Sequence, residues 1–413
     1  MTPGDQAPAL ATGDQAPGDQ ALAPELAAGG LRASRVVAQE GFLAALAGLA
    51  GMGPRRLTAL LEVHGEPAVA WAVVVAGATA DHPAVAAVLG RDPRGRAARW
   101  AVQARHLEPD ELLARHRAAG VALLTPWHPL WPARLVDDPE PPALLCTRGD
   151  PAALAGPACA IVGTRSCTGE GRRTSHDLGR DLADAGVAVV SGLALGIDAA
   201  AHRGALAAGP GAGGPVGVVA GGVDVTYPPS HAGLFDEVAV AGVVLSEAPL
   251  GTPPERWRFP ARNRIIAALA DVVVVVESHD RGGSLHTVDA AIERGRTVGA
   301  VPGPVRSPAS AGTNALLADQ ALVVRDAGDV LVALGLGRSP LESASGGPPT
   351  GLVEGPDAAV LDAVGFAPTP TDEVVAAAAV GLGAALTALH RLVAAGLVEA
   401  GPGCWSRRSG GGR

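Results

Sequence analysis

Four segments of this 413-residue chain gather glycines, hydroxyls and arginines at spacings suited to holding an anion. The first is IVGTRSCTGEG, where an apolar run enters Gly163, Thr164 and Arg165 and a helical pattern follows. A strand that ends in a glycine turn at a helix start offers backbone N–H groups, a hydroxyl and a guanidinium to one phosphate. The segment matches neither GxGxxG nor GxxxxGK[ST], and the chain contains no lysine, so an ordinary P-loop is excluded. The competing reading is a purely structural turn.

The second segment, VVSGLALGIDAAAH, sets Ser191, Gly192 and Gly196 after another apolar run. Asp198 reads as the cap of the helix that follows. His202, at helical spacing from it and without a partner in the sequence, reads as structural. The third, RWRFPARNRIIAALA, collects Arg256, Arg258, Arg262 and Arg264 around Asn263 at an expected helix start. In a chain of net charge -9 such a cluster points to a polyanion, since guanidinium groups bind phosphates in bidentate fashion and stack on bases. A solvated basic turn is the bland alternative. The fourth, ESHDRGGSLHT, offers Arg281, Gly282, Gly283, Ser284 and Thr287 as a further anion cradle. Asp224, Tyr227, Pro228 and Glu247 sit at strand ends, where turn and packing roles are the default.

The ordered series VGTR, SGLALGIDAAAH, AGGVDVTYPP, LSEAPLG, FPARNRIIAALA, GGSLHT and AVPG spans residues 160–325 and resembles the DprA/Smf family. The resemblance implies single-stranded DNA binding, interaction with the RecA recombinase and help in loading it during natural transformation, and a homodimer. It also implies that Gly163, Thr164 and Arg165, Ser191 and Gly192, Arg262, Asn263 and Arg264, and Ser284 with Thr287 line the strand-binding pocket. Gly196 and Gly283, from the loops above, complete the candidate nucleic-acid-binding set. The sequence departs from the family pattern at Thr164, where serine is common, and at Gly283 and His286, where a Ser-Gly-Ser loop and an isoleucine are more frequent.

Alternating strand and helix patterns position these segments. Strands are expected at 158–163, 187–192, 216–222, within 238–247, at 271–277, 297–303 and 322–324. Helices are expected at 172–185, 198–207, 263–270, 284–294 and near 314–319. Near-continuous valine and isoleucine runs indicate strands covered on both faces, hence an α/β fold with a Rossmann-like, largely parallel sheet. Loops from neighbouring parallel strands then open together at the carboxyl edge, where such sheets hold ligands.

Around this core the chain divides further. Residues 1–33 repeat a GDQA unit among prolines and read as a disordered tail. Residues 34–118 carry helical periodicity with a glycine turn at Gly51, Gly53 and Pro54, either a helix-hairpin-helix (SAM-like) unit offering amides to a phosphate or a plain helical hairpin. The main domain is placed at 119–335, with its proline-rich entry at 120–150 supplying one or two strands. A linker at 336–352, a small winged helix at 353–408 and a tail at 409–413 complete the reading.

Composition limits the functions available. The acidic net charge opposes a broad duplex-gripping surface, but a local arginine cluster acts within a Debye length of about 8 Å. Cys146, Cys159, Cys167 and Cys404 show neither CxxC spacing nor histidine clustering, so no disulfide framework or metal site is expected. No apolar stretch reaches the ~18 residues of a membrane span and no signal peptide is legible, which suggests a cytoplasmic protein. No nucleophile and base, carboxylate pair or metal cluster is persuasive, so a binder without cofactor is expected rather than an enzyme. The rival is a nucleotide-processing enzyme like the phosphoribohydrolases of the lysine-decarboxylase-like fold, whose PGGxGT signature is absent. A duplex-reading transcription factor is weaker still, because the helix at 382–395 offers only His390 and Arg391 as polar contacts.

Overall fold

A computed structural model describes residues 39–337 and 356–407. The chain divides into two compact units, the first ending at Ser339, and each is taken by itself. The segments expected as tails at 1–33 and 409–413, and most of the linker expected at 336–352, lie outside the described residues.

Unit one opens with helices: α1 (residues 39–47), α2 (Pro54–His64), α3 (Pro67–Val75), α4 (Pro83–Val88), α5 (Pro93–Ala104) and α6 (Pro109–Ala118). Each of α2 to α6 begins on a proline, whose fixed φ suits a helix and whose missing N–H would have no partner there anyway. Between α1 and α2 the chain reverses through Gly51, at φ 72°. Trp100 of α5 braces this turn by donating its indole N–H to Ala50 O at 2.9 Å, and Gln103 accepts from Ala50 N at 2.9 Å.

Next come β1 (Ala122–Leu124) and β2 (Leu145–Gly149) in the entry segment, where one or two strands were expected, then β3 (Ala158–Val162), α7 (Gly169–Asp184), β4 (Ala188–Ser191) and α8 (Ile197–Ala207). They are followed by β5 (Pro215–Val218), α9 (Ala232–Ala241), β6 (Val243–Ser246), α10 (Arg258–Leu269), β7 (Val272–Val275), α11 (Leu285–Glu293), β8 (Thr297–Ala300), α12 (Ala311–Ala318), β9 (Leu322–Val323) and α13 (Ala327–Ala333). One sheet runs β1-β2-β6-β5-β4-β3-β7-β8-β9. Its strands from β6 to β9 are parallel and the β1, β2 edge is antiparallel.

Burial explains this arrangement. Val272 to Val275 are all buried, so β7 needs helices on both faces, and each such side chain contributes about 1.5–3 kcal/mol of apolar burial. Ile265 and Ile266 of α10 join the core on one face, while Leu178 and Leu182 of α7 cover the other. A third cluster runs from Leu43, Leu46 and Leu60 in the helical segment to Phe235 and Val238 of α9 and Val244 of β6. The helical segment therefore shares a core with the sheet inside one unit.

Two ion pairs, one partly and one almost fully buried, fix the entry segment. Arg134 grips Asp271, at the foot of β7, with Nε–Oδ1 2.7 Å and Nη2–Oδ2 2.6 Å. Arg294 grips Asp138 with Nε–Oδ2 2.7 Å, both side chains almost wholly enclosed.

Two helix starts differ from expectation. α10 opens at Arg258 rather than Asn263 and α7 at Gly169 rather than Arg172. In α7 the signal was Thr168, whose hydroxyl accepts from Gly171 N at 3.0 Å as an N-cap.

Unit two comprises α14 (Pro356–Ala363), β10 (Thr369–Pro370), α15 (Thr371–Ala378), α16 (Leu382–Ala394), β11 (Val398–Gly401) and β12 (Cys404–Arg407). Its three-stranded sheet runs β10-β12-β11, and Val360, Val374, Leu389, Leu392 and Val398 form its core. The hairpin turn falls at Gly401 to Gly403, where the sequence placed it.

Candidate nucleic-acid interface

The chain runs outward from β3 through β4, β5 and β6, then returns to lay β7 on the other side of β3. Loops leaving β3 and β7 therefore part in opposite directions, which opens a crevice at their carboxyl ends. A cleft of about 610 Å³ occupies this point. Its wall takes Gly163, Thr164 and Arg165 from the loop after β3, and Arg256, Phe259, Arg262 and Asn263 from α10 and its approach. Gly283, Ser284 and Thr287 come from the loop after β7 and the start of α11, and Tyr227 closes one side.

Close backbone approach sets the β3 loop. A Cβ on Gly163 would lie 2.6 Å from Ile197 Cγ1 and 2.8 Å from Glu277 O, so any side chain there would force the two loops apart. The Thr164 amide donates to Glu277 O at 2.8 Å and laces the loops together. The start of α7, however, is already served. Thr168 donates its amide to Glu277 Oε2 at 2.9 Å and its hydroxyl to Oε1 at 2.5 Å, and a Cβ on Gly171 would fall onto the same carboxyl. The anion at this helix start is the protein's own carboxylate. This corrects the expectation that the helix N-terminus itself is aimed at a bound phosphate.

The arginine cluster of the third segment is split by helix geometry. Residues two apart on a helix point about 200° apart, so Arg262 faces the cleft side while Arg264 faces inward. Arg264 donates to Glu140 O at 2.5 Å and to the carboxylate of Glu247, whose side chain is largely enclosed beside it. Arg262 lies beneath the cleft and donates Nη1 to Gly192 O at 2.7 Å and Val218 O at 2.5 Å. Burial lowers its pKa to about 10, with Asp198 opposing and Arg165 adding to the shift, so the guanidinium stays charged at neutral pH. Arg165 and Arg256 remain as exposed cations at the cleft.

Aromatic rings stand beside these charges. Phe259 has Arg165 over its face at 5.4 Å and Arg262 at 6.0 Å, and Tyr227 packs against it with centroids 5.5 Å apart. Tyr227, the single tyrosine of the chain, is half exposed, so the packing role expected for it misses a ring presented to the cleft. Nothing in the local pattern around Tyr227 marks this, because Phe259 lies on a different element.

The β7 loop is held by hydroxyls. Ser284 Oγ donates to Ser278 Oγ at 3.0 Å, which donates on to His279 O at 3.0 Å, and Asn263 Nδ2 donates to Gly283 O at 3.4 Å. Gly283 itself faces open space, so a side chain there meets no obstruction.

Four expected site residues are not on the cleft wall. Ser191 is fully buried and donates to Ile161 O at 2.6 Å, joining β4 to β3. Gly192 borders a small adjoining recess with Arg165, Tyr227 and Phe259, and its amide donates to Asp198 Oδ2 at 3.1 Å. Gly196, at φ 80°, is the N-cap of α8 and closes onto the carbonyls of Thr164 and Arg165. Arg264 is consumed by Glu247, as described. Asp198 is the second residue of the helix it was expected to cap and accepts from the loop amides of Gly192 and Ala194 instead. His202 is enclosed in α8, as expected of a structural histidine, and burial drives its pKa down to about 3.

A largely parallel sheet with an arginine-bordered cleft at its switch point defines an α/β protein of Rossmann-like form. Residues 122–335 match the DNA recombination-mediator protein A family. The chain belongs to that family. It is 33% identical over 340 residues to protein Smf of Synechocystis, covering 73% of this chain and 83% of that protein. A relative from Mycobacterium tuberculosis is 43% identical over 222 residues, 54% of this chain, and the match spans about half, 52%, of that relative's length. The crystal structure of DNA processing protein A from Streptococcus pneumoniae superposes with a TM-score of 0.58 at 32% identity, covering 69% of this chain and 94% of that one. Among the described residues no single helix is long and apolar enough to cross a membrane.

Proposed function

We propose that this chain binds single-stranded DNA in the cleft between the β3 and β7 loops. The observation that carries the reading is the convergence of Arg165, Asn263 and Ser284, from three separate segments, on one cleft beside the Tyr227–Phe259 ring pair, of which Tyr227 is half exposed. Guanidinium groups and loop amides hold the sugar-phosphate backbone, and the half-exposed Tyr227 ring, backed by Phe259, takes an unpaired base. A duplex keeps its base faces stacked inside and presents only phosphates, so it forgoes the aromatic contribution. The chain carries out no covalent chemistry in this reading. It acts in the cytoplasm as a homodimer, guards incoming DNA and hands it to RecA during natural transformation. Unit two, with three helices and a β10, β11, β12 sheet, is read as a winged helix.

Fluorescence anisotropy with single- and double-stranded oligonucleotides, on wild type and Arg165→Ala, tests this. The single strand is expected to bind tighter, and the variant to lose about tenfold with a shallower salt slope. Equal affinity for the two forms, or an unaffected variant, would overturn it. Measurable nucleotide hydrolysis by the same preparation would favour the enzyme class instead.

A further inference from the structure

The cleft does not end at Phe259. Two residues earlier in the chain, Trp257 leaves the sheet unit and lies against the helical segment, with its ring 3.6 Å from the position of a Cβ on Gly53. It packs at the α1–α2 turn yet stays 42% exposed, and Arg258 stacks on its face at 4.3 Å. Two residues beyond Gly53, the Arg55 side chain is 88% exposed. Behind it, Arg56 donates to Gly51 O at 2.5 Å and Arg96 donates to Leu89 O at 2.9 Å, which keeps two further guanidinium groups at the same turn. The acidic groups facing this path are Glu255, Glu140 and Glu247, the last paired with Arg264. Glu255 accepts from Trp257 Nε1 at 2.7 Å and pairs with Arg258 at 3.4 Å, and Glu140 lies 3.8 Å from Arg55 and within 4.0 Å of Arg264. Each carboxylate is therefore offset by arginine.

We infer that the DNA strand leaving the cleft continues over Trp257 onto the α1–α2 turn, with a base stacked on the indole and a phosphate held by Arg55. The inference rests on the cleft reading and extends it: the helical segment supplies a second stretch of the same strand path. Three features favour it over plain interdomain packing. Trp257 keeps two-fifths of its surface in water directly beside the cleft residues Arg256 and Phe259. Arg55 has little packing role at its exposure. And Arg55, Arg56, Arg96 and Arg258 gather at this turn, although the chain as a whole is acidic. A guanidinium beside an exposed indole is also the combination that binds single strands without sequence preference.

The test uses the full chain and oligothymidylates of about 6 and about 20 nucleotides, lengths that do and do not fit within one short site. Trp257→Ala and Arg55→Ala are expected to weaken the long oligonucleotide by about tenfold while leaving the short one unchanged, and Trp257→Phe to retain most of the affinity. Arg55→Ala should also lower the salt slope for the long oligonucleotide by about one. Melting curves check that Trp257→Ala stays folded, and Arg55→Ala, at an exposed position, supplies an independent readout if it does not. Wild-type affinity of both variants for both lengths would overturn the extended path while leaving the cleft intact. So would a loss of equal size at both lengths. Failure of Arg165→Ala to affect either length would instead overturn the cleft reading itself.

Discussion

Glu277 holds the start of α7 through Thr168: one carboxylate oxygen accepts the Thr168 amide at 2.9 Å and the other accepts its hydroxyl at 2.5 Å. Because the Glu277 carbonyl also receives the Thr164 amide at 2.8 Å, one residue at the end of β7 shapes the whole β3 loop. An internal carboxylate at this helix start turns the site away from dipole-based phosphate capture. It leaves Arg165 and the loop geometry to bind the ligand.

Glu277→Gln replaces two acceptor oxygens with one and sets an amide against a donor. The buried position makes the mismatch costly, and a loss of about 1–3 kcal/mol is expected in urea unfolding. Unchanged stability would mean that Thr168 finds another partner.

Phe259→Ala and Tyr227→Ala remove the ring pair beside Arg165. Base–aromatic stacking is worth about 1–3 kcal/mol per base, so single-stranded affinity should fall by about fivefold or more for Phe259→Ala. Duplex affinity should change little. Anisotropy titrations at constant salt measure both, and a parallel loss for the two forms would contradict a stacking role.

Arg264→Ala strands the Glu247 carboxylate in a buried site. Burial raises the pKa of that group even with Arg264 beside it, and removal of the cation leaves it uncompensated. A destabilisation of about 3–5 kcal/mol is expected by chemical denaturation. Removing both partners, as Arg264→Met with Glu247→Leu, should recover much of it. DNA affinity of the folded fraction is expected to stay near wild type, unlike that of Arg165→Ala.

His202 makes stability depend on pH. Burial holds its folded pKa at about 3 against an ordinary 6.5, so the unfolded chain binds a proton in that window that the folded chain refuses. Its contribution is complete above about pH 6.5 and is lost as pH falls toward 3, at up to about 1.4 kcal/mol per pH unit. Asp198, whose pKa burial raises, works in the opposite sense but is common to wild type and variant. His202→Leu should therefore flatten the fall in unfolding free energy between about pH 6 and pH 4. Identical slopes would show that His202 does not titrate on unfolding.

The parallel sheet was legible because its signal is local: unbroken valine runs such as 272–275 allow only a strand covered on both faces. Gly163, Arg165, Ser284 and Thr287 were legible as cleft residues because each sits near a strand end or helix start whose chemistry is visible in a few neighbouring residues, and Asn263 because it lies within an arginine cluster. Ser191 and Arg264 were misplaced for the opposite reason. Their roles depend on what lies across the fold, Ile161 O for one and Glu247 for the other.

From its residues alone this protein has a strand-and-helix alternation, a set of glycine-hydroxyl-arginine loops and a family resemblance carried by their order. Those features follow from backbone preferences and hydrophobic periodicity, which act over a few residues. Only the tertiary structure decided that Tyr227 meets Phe259, that Glu277 fills the α7 start, and that Arg262 supports the cleft while Arg264 turns away from it. Each of those depends on packing between segments 17 to 109 residues apart, and no local rule carries information over such separations.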